Sequence, residues 1–205
     1  NYNLVSIDQW GDIRWKYLGE FLSPTGKYSP ITQKPHYPEL KATDTPNLRD
    51  VCDMTGMFAD NKKFNSPIGN WDVSHVEEMR GVFYGCTSFN QDISKWNVSH
   101  VIDMLHMFEN CTAFNQDISQ WNVSHVKGMS HMFENCTSFD QDLTNWDVTS
   151  LQVVYDMFKS DKPNTVICPK CESLRTKILE KNKHLRPNQH ELTFENTEGY
   201  ELLYQ

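Results

Sequence analysis

The sequence predicts an α/β repeat solenoid, in which four 25-residue coils stack between non-repeat caps at both ends. A phenylalanine recurs every 25 residues, at Phe58, Phe83, Phe108, Phe133 and Phe158. A tryptophan keeps the same step, at Trp71, Trp96, Trp121 and Trp146. Hydrophobic residues make up 38% of the 205 residues, which favours a thin, elongated core. Units of this length bury their apolar sides by stacking on one another.

Each coil is predicted to contain a helix, a short extended segment and a tight corner. Apolar residues recur at three- and four-residue steps, which is the spacing of one helix face. The clearest series is Val98, Val101, Met104, Phe108 and Cys111. Residues 114–119 are predicted to follow as a brief strand or extended turn, and Trp121 closes the corner. Paired strands of adjacent coils are expected to lie about 5 Å apart.

The repeat occupies residues 50–162, and the two ends do not share it. Residues 1–49 are rich in aromatic residues and proline. We predict a short helix or turn over residues 10–21 and then an extended arm. The segment either caps the first coil or docks on a partner, and Trp10 and Trp15 are its candidate binding residues. Residues 163–205 hold a Cys-Pro-Lys-Cys motif, a predicted helix over 172–184 and an acidic tail.

Stacking converts each repeated histidine into a ladder. The candidate binding histidines are His75, His100 and His125, and His106 and His131 form a second, shorter ladder. Stacked imidazoles are suited to metal binding or to sensing pH. The alternative is that these are exposed polar positions with no such role.

The repeated aspartates Asp92, Asp117 and Asp142 form a further ladder of candidate binding residues. Their carboxylate oxygens are suited to calcium. The alternative is that each carboxylate caps exposed backbone N–H groups of its own turn.

The aromatic and cysteine ladders are predicted to be core. A sugar-binding stripe is the alternative for the tryptophans. For Cys86, Cys111 and Cys136 we predict small, buried apolar side chains, because free cysteine packs well in such positions.

Cys168 and Cys171 are the candidate metal ligands at the carboxyl-terminal end. One Cys-x-x-Cys is half of a zinc site, and His184, His190 or Cys52 would have to complete it. The alternatives are a structural knuckle, reduced or disulfide-linked, and a redox-active pair.

Charge and motif content exclude several classes of function. The net charge of −8 does not provide the basic field that nucleic acid requires. No apolar run approaches the roughly 20 residues of a membrane span. The sequence contains no nucleophile elbow, phosphate loop or zinc-protease helix motif, so an enzyme is not predicted.

The repeat reads Met-Phe-x-x-Cys-x-x-Phe-Asn-Gln-Asp-Ile-Ser-x-Trp-Asn-Val-Ser-x-Val-x-x-Met. It resembles the repeat of BspA-like leucine-rich-repeat surface proteins, in the 25-residue variant found in bacterial surface lipoproteins and in some protist, algal and large-virus proteins. The resemblance covers residues 50–162. It implies a leucine-rich-repeat-like solenoid and a surface or adhesive role in binding proteins, and it implies no catalytic residue.

These observations together predict a non-catalytic protein–protein interaction module. It would bind other proteins through the solenoid face and the terminal arms. It would act either as an adhesin at the cell surface or after secretion, or as a structural subunit of a larger assembly such as an organelle or a virion. The alternative prediction is a metal- or carbohydrate-binding repeat module that uses the Asp, His or Trp ladders.

Overall fold

The computed structural model describes residues 6–16, 18–19, 21–23 and 39–182. In these residues, strand β1 covers Ser6–Ile7 and strand β2 covers Glu39–Leu40, and the two pair in parallel. A 3-10 helix at Pro169–Cys171 leads into helix α1, Glu172–Asn182. The predicted carboxyl-terminal helix is thus confirmed as far as residue 182. The rest of the tail, with His184 and His190, lies outside the described residues.

The 25-residue units stack in a constant register. Backbone N–H groups of one unit donate to carbonyls 24 residues further along, as from Met54 to Glu78 (2.9 Å) and from Met79 to Asp103 (3.0 Å). Parallel bridges follow the 25-residue step of the repeat, linking Asp53, Glu78, Asp103, Gly128 and Val153 in turn. We call residues 51–160 the repeat stack. The shared register means that every repeated residue lies beside its equivalents in the neighbouring units.

The prediction of a helix within each unit is wrong. Residues 105–110 form consecutive turns, and residues 114–119 form no strand. Alternate N–H groups of these turns donate to the next unit instead of bonding within a helix, as from His106 to the Ser130 carbonyl (2.9 Å). Positive φ angles at His106 and Asn110 also interrupt any helical path. Between units, residues 114–119 are joined through a side chain, because Asn90 Oδ1 accepts the N–H of Asn115 at 2.9 Å.

The core consists of the aromatic, cysteine and methionine ladders. Phe108 stacks on Phe83 and Phe133 at centroid distances of 5.5 and 5.6 Å. The polar atoms of the ladders find carbonyl partners 28 residues earlier, as Cys111 Sγ does at the Phe83 carbonyl (2.8 Å). Each ladder tryptophan is 5% exposed or less, and Trp96 Nε1 donates to the Ile68 carbonyl. Because these rings are buried, they cannot stack on a sugar, and the carbohydrate-binding stripe is wrong.

The amino-terminal segment caps the first unit with aromatic side chains. Trp10 is buried and meets Trp71 edge-on at 5.4 Å and Trp15 at 5.5 Å. The Asp44 carboxylate accepts the N–H groups of Trp10 and Gly11. Residues 11–16 contain turns and no helix. Residues 24–38, where the extended arm was predicted, lie outside the described part of the chain.

The carboxyl-terminal segment closes the other end of the stack. Ile167, Leu174 and Ile178 are buried in the same core. The Arg175 guanidinium lies 4.7 Å from the centre of the Phe158 ring, which continues the phenylalanine ladder. Lys177 Nζ donates to the Thr144 carbonyl at 2.7 Å. No helix in the described residues is long and apolar enough to cross a membrane.

Candidate functional site

The units are nearly identical in their cores and differ at several positions outside them. Three of the varied columns, each with one residue per unit, lie together around the parallel bridges. The first column is Cys52, Glu77, Ile102, Lys127 and Gln152; the second is Asp53, Glu78, Asp103, Gly128 and Val153; the third is Thr55, Arg80, Leu105, Ser130 and Tyr155. We call these columns the bridge face, because the parallel bridges run along the second.

The bridge face points away from the core because its backbone is locally extended. Between the second and third columns lies a buried apolar column, of which Met79 and Met104 are members. Alternate residues of an extended segment point to opposite sides. The core residues therefore fix the side on which the second and third columns lie, and leave their chemistry free to vary from unit to unit.

One end of the bridge face is charged. Arg80 Nε lies 2.9 Å from Asp103 Oδ2 and 3.3 Å from Glu78 Oε2. Asp103 is fully buried, and its other oxygen accepts the Leu105 N–H at 2.9 Å. The pKa of Glu78 is raised to about 7. Burial is the main cause, the charges of Asp103 and Asp53 add to it, and the charge of Arg80 opposes it. Arg80 is thus shared between two carboxylates, and the buried Asp103 holds it more closely.

The other end of the bridge face is apolar. Leu105, Val153 and Tyr155 form a cluster separate from the main core. Gly128 precedes Val153 in the second column, and a Cβ on this glycine would overlap Leu105 Cδ1. Leu105 and Val153 are buried, whereas Tyr155 is partly exposed. The bridge face therefore combines a fixed arginine with a tyrosine, and both residue types are enriched at the centres of protein interfaces.

A group of two histidines and two glutamates lies next to the bridge face in sequence. His106 Nδ1 is 2.5 Å from Glu109 Oε2, and His131 Nδ1 is 2.5 Å from Glu134 Oε2. The two imidazole rings stack at 4.7 Å with planes 3° apart. Burial alone would raise the pKa of Glu134, but His131 and Lys159 together hold it below its usual value. We call these four side chains the His–Glu cluster.

The predicted His75, His100 and His125 ladder does not form a cluster. All three side chains are exposed at corners of the repeat stack. In the described part of the chain, the metal-ligating group that comes together is instead His106, Glu109 and His131. The stacked imidazoles that the sequence predicts are therefore found in the shorter of the two ladders.

Each carboxylate of the aspartate ladder caps the backbone of its own turn. Asp92, Asp117 and Asp142 are exposed, and Oδ1 of each accepts the backbone N–H two residues later at 2.9 Å. Hydrogen bonds from that residue, Ser94 in the first case, hold the pKa of each carboxyl below its usual value. This is the local capping that was the alternative to calcium.

Cys168 and Cys171 form a disulfide in the carboxyl-terminal cap. Zinc binds thiolates, so the oxidised pair does not fit the predicted half of a zinc site. The disulfide-linked knuckle is the alternative with which this pair agrees. At the other end, Trp10 is buried and Trp15 is half-buried within the cap, so Trp10 as placed offers no surface to a partner.

The bridge face itself was missed by sequence reasoning. The search for repeated polar residues favours positions that recur, whereas the bridge face is made of positions that change. A comparison of equivalent positions among the units would have found it, because Asp103, Gly128 and Val153 share one position although their side chains are acidic, absent and apolar.

The family model described as "Mycoplasma protein of unknown function, DUF285" matches residues 40–167. The match covers more than half of the chain and includes the whole repeat stack. It also takes in Leu40, the last residue of β2, and the first residues after the last unit. No curated protein and no solved structure matches the chain.

Proposed function

The chain belongs to the DUF285 family, and we propose that it is a non-catalytic protein-interaction module of the leucine-rich-repeat type that binds partner proteins through the bridge face. The observation that supports this proposal is that three columns on one side of the stack change their chemistry from unit to unit, while the core residues stay nearly the same. A purely structural stack needs only its core and its register to be kept. Chemistry that varies along one side creates a surface that a single partner can recognise in one orientation.

The composition of the bridge face supports a protein partner. Arginine and tyrosine are the residue types that most often carry binding energy at protein interfaces. Arg80 is already held in position by Asp103, and Tyr155 by its apolar neighbours, so binding would order few side chains. The acidic residues Glu77 and Glu78 at the charged end favour a partner segment that carries a basic residue next to an apolar one.

The terminal segments have a supporting part in this proposal. The described aromatic residues of the amino-terminal segment, Trp10 above all, are used in capping the first unit. We therefore assign recognition first to the bridge face, and a second contact to the terminal arms. The resemblance to BspA-like surface proteins favours an adhesin at the cell surface, and a scaffold subunit of a larger assembly is the alternative.

Two matched charge reversals test the proposal. Lys127 lies on the bridge face and Lys95 lies at a corner of the stack. The partner is first identified by cross-linking the protein in its natural source, and its affinity for purified protein is then measured by titration. We expect Lys127→Glu to weaken binding by about tenfold or more, as a charge at an interface does, and Lys95→Glu to leave it unchanged. Equal affinities for the two variants would refute the assignment of the bridge face.

A further inference from the structure

We propose that the His–Glu cluster binds one divalent transition-metal ion of the zinc class. The ligating atoms of His106, Glu109 and His131 all lie within 4.8 Å of one another. Glu134 is in contact with His131 and supplies a fourth ligand from the same pair of units. Imidazole nitrogen and carboxylate oxygen are ligand types that zinc uses, and four of them complete its usual coordination. The ligands of this site are not residues of the bridge face, and the proposal does not depend on protein binding there.

The backbone at the two histidines supports a role for their side chains. His106 and His131 have φ angles of 56° and 58°, in the left-handed region. The equivalent positions of the earlier units hold Gly56 and Gly81, with φ angles of 63° and 53°. A Cβ in this region lies too close to the following carbonyl oxygen, a strain that glycine avoids. The repeat therefore has a ready solution without strain at this position. Three later units depart from glycine, and two adjacent ones among them place an imidazole there, whereas the last carries Asp156.

The charge around the cluster suits a cation. The side chains of Glu109 and Glu134 are 15% and 9% exposed, so their carboxylates are poorly hydrated. Lys159 Nζ lies 3.5 Å from Glu134 Oε1, on the side away from the imidazole contact made by Oε2. A divalent cation between the two His–Glu pairs would offset the charge of both carboxylates. The single lysine beside Glu134 offsets only one of them.

The distances allow the ligands to close on one ion by side-chain rotation. In zinc sites, metal–nitrogen distances are about 2.0–2.1 Å, so tetrahedral ligands lie about 3.3 Å apart. The ligand atoms of His106, Glu109 and His131 need to converge from within 4.8 Å, and the parallel rings of the two histidines approach each other as they do so. The ion would join two neighbouring units at a point that borders Leu105 and Ser130 on the bridge face.

Zinc titration of chelator-treated protein by calorimetry tests the site, with cobalt absorption as a second readout of tetrahedral coordination. We expect one ion per chain and a rise of about 5–10 °C in the unfolding midpoint at zinc concentrations 100 times Kd. The double variant His106→Gly/His131→Gly should fold, because Gly56 and Gly81 occupy these positions in earlier units. It should lose both the binding and the zinc-dependent rise in the midpoint.

The control is His75→Ser/His100→Ser/His125→Ser, which removes the exposed ladder. Ser150 occupies the equivalent position of the last unit, so serine is compatible with the corner. This variant should bind zinc as the unaltered protein does. The single variant Glu109→Ala, which introduces the residue that the first unit carries at Ala59, should bind more weakly and provides a readout should the double variant fail to fold. The proposal is overturned by an absence of saturable binding, or by binding that follows the exposed ladder.

Discussion

Leu105 covers the position where a side chain on Gly128 would begin. A Cβ built on Gly128 would overlap Leu105 Cδ1 and would lie 3.0 Å from Asp103 Oδ1. The two residues belong to neighbouring units and to neighbouring columns of the bridge face. Glycine at residue 128 thus lets a leucine from the preceding unit close over the backbone and join the apolar cluster with Val153 and Tyr155.

Gly128→Ala is therefore expected to destabilise the protein by overpacking. Leu105 or the Asp103 carboxylate would have to move, and forced shifts of this kind cost about 1–3 kcal/mol. The measurement is the free energy of unfolding from urea titration. Lys127→Ala, one residue earlier and partly exposed, is the control and should change stability by less than about 0.5 kcal/mol. A Gly128→Ala protein as stable as the unaltered one would show that Leu105 does not occupy this place.

Glu78 should make the stability depend on pH. Its pKa is raised from 4.5 to about 7 by burial and by Asp103 and Asp53, against the attraction of Arg80. The folded protein therefore holds a proton that the unfolded chain releases between pH 4.5 and 7. Stability from this group is fully present below pH 4.5 and is lost as the pH rises through 7.

The check on Glu78 is the slope of unfolding free energy against pH. Glu78→Gln should flatten the decline between pH 4.5 and 7, since the amide does not titrate. Glu77→Gln, at the exposed neighbouring position, should leave the slope as it is in the unaltered protein. If both variants keep the full slope, another group is responsible for the pH dependence.

Phe108→Ala should be among the most damaging single changes in the stack. The ring contacts Phe83 and Phe133 in the neighbouring units and stacks on Phe114 at 4.2 Å in its own unit. Removing a buried phenylalanine costs about 3–5 kcal/mol, measured here as the change in unfolding free energy. His100→Ala, at an exposed corner, should cost less than about 0.5 kcal/mol. Similar losses for the two variants would contradict the core assignment.

The free thiols should differ sharply in reactivity. Cys52 is exposed, whereas Cys86, Cys111 and Cys136 are buried. Burial raises the pKa of each buried thiol, so its reactive thiolate form is suppressed as well as shielded. Mass spectrometry after treatment with a thiol reagent should show one modification in the native protein and four in denaturant. Cys52→Ser should remove the single native modification, and rapid labelling at a second thiol would argue against the packed ladder.

The repeat step and the core could be read from the sequence, but the local conformation could not. The spacing of Met104, Phe108 and Cys111 fits a helix face. It also fits consecutive turns, in which the backbone N–H of Cys111 donates to the Phe108 carbonyl, three residues earlier, at 2.9 Å. What decides between the two is the competition from the next unit for the remaining N–H groups. That competition is a property of the stack and leaves no trace in the apolar spacing.

The candidate site shows the same limit. Both histidine ladders have the 25-residue step, and that step alone is no reason to prefer one. The structure places His100 at an exposed corner and brings His106 against Glu109, three residues later, with His131 stacked on it. An acidic residue three positions later does not separate the ladders in the sequence, because Glu78 follows His75 and Asp103 follows His100 at the same spacing.

The most direct test of the central proposal is cross-linking mass spectrometry with an amine-reactive reagent on the protein in its natural source. Lys127 reports on the bridge face, whereas Lys16 and Lys177 report on the two ends of the stack. The proposal predicts repeated cross-links from Lys127 to one partner protein. The proposal would be contradicted if Lys127 reacted with the reagent but formed no cross-link to a partner, while Lys16 or Lys177 formed one.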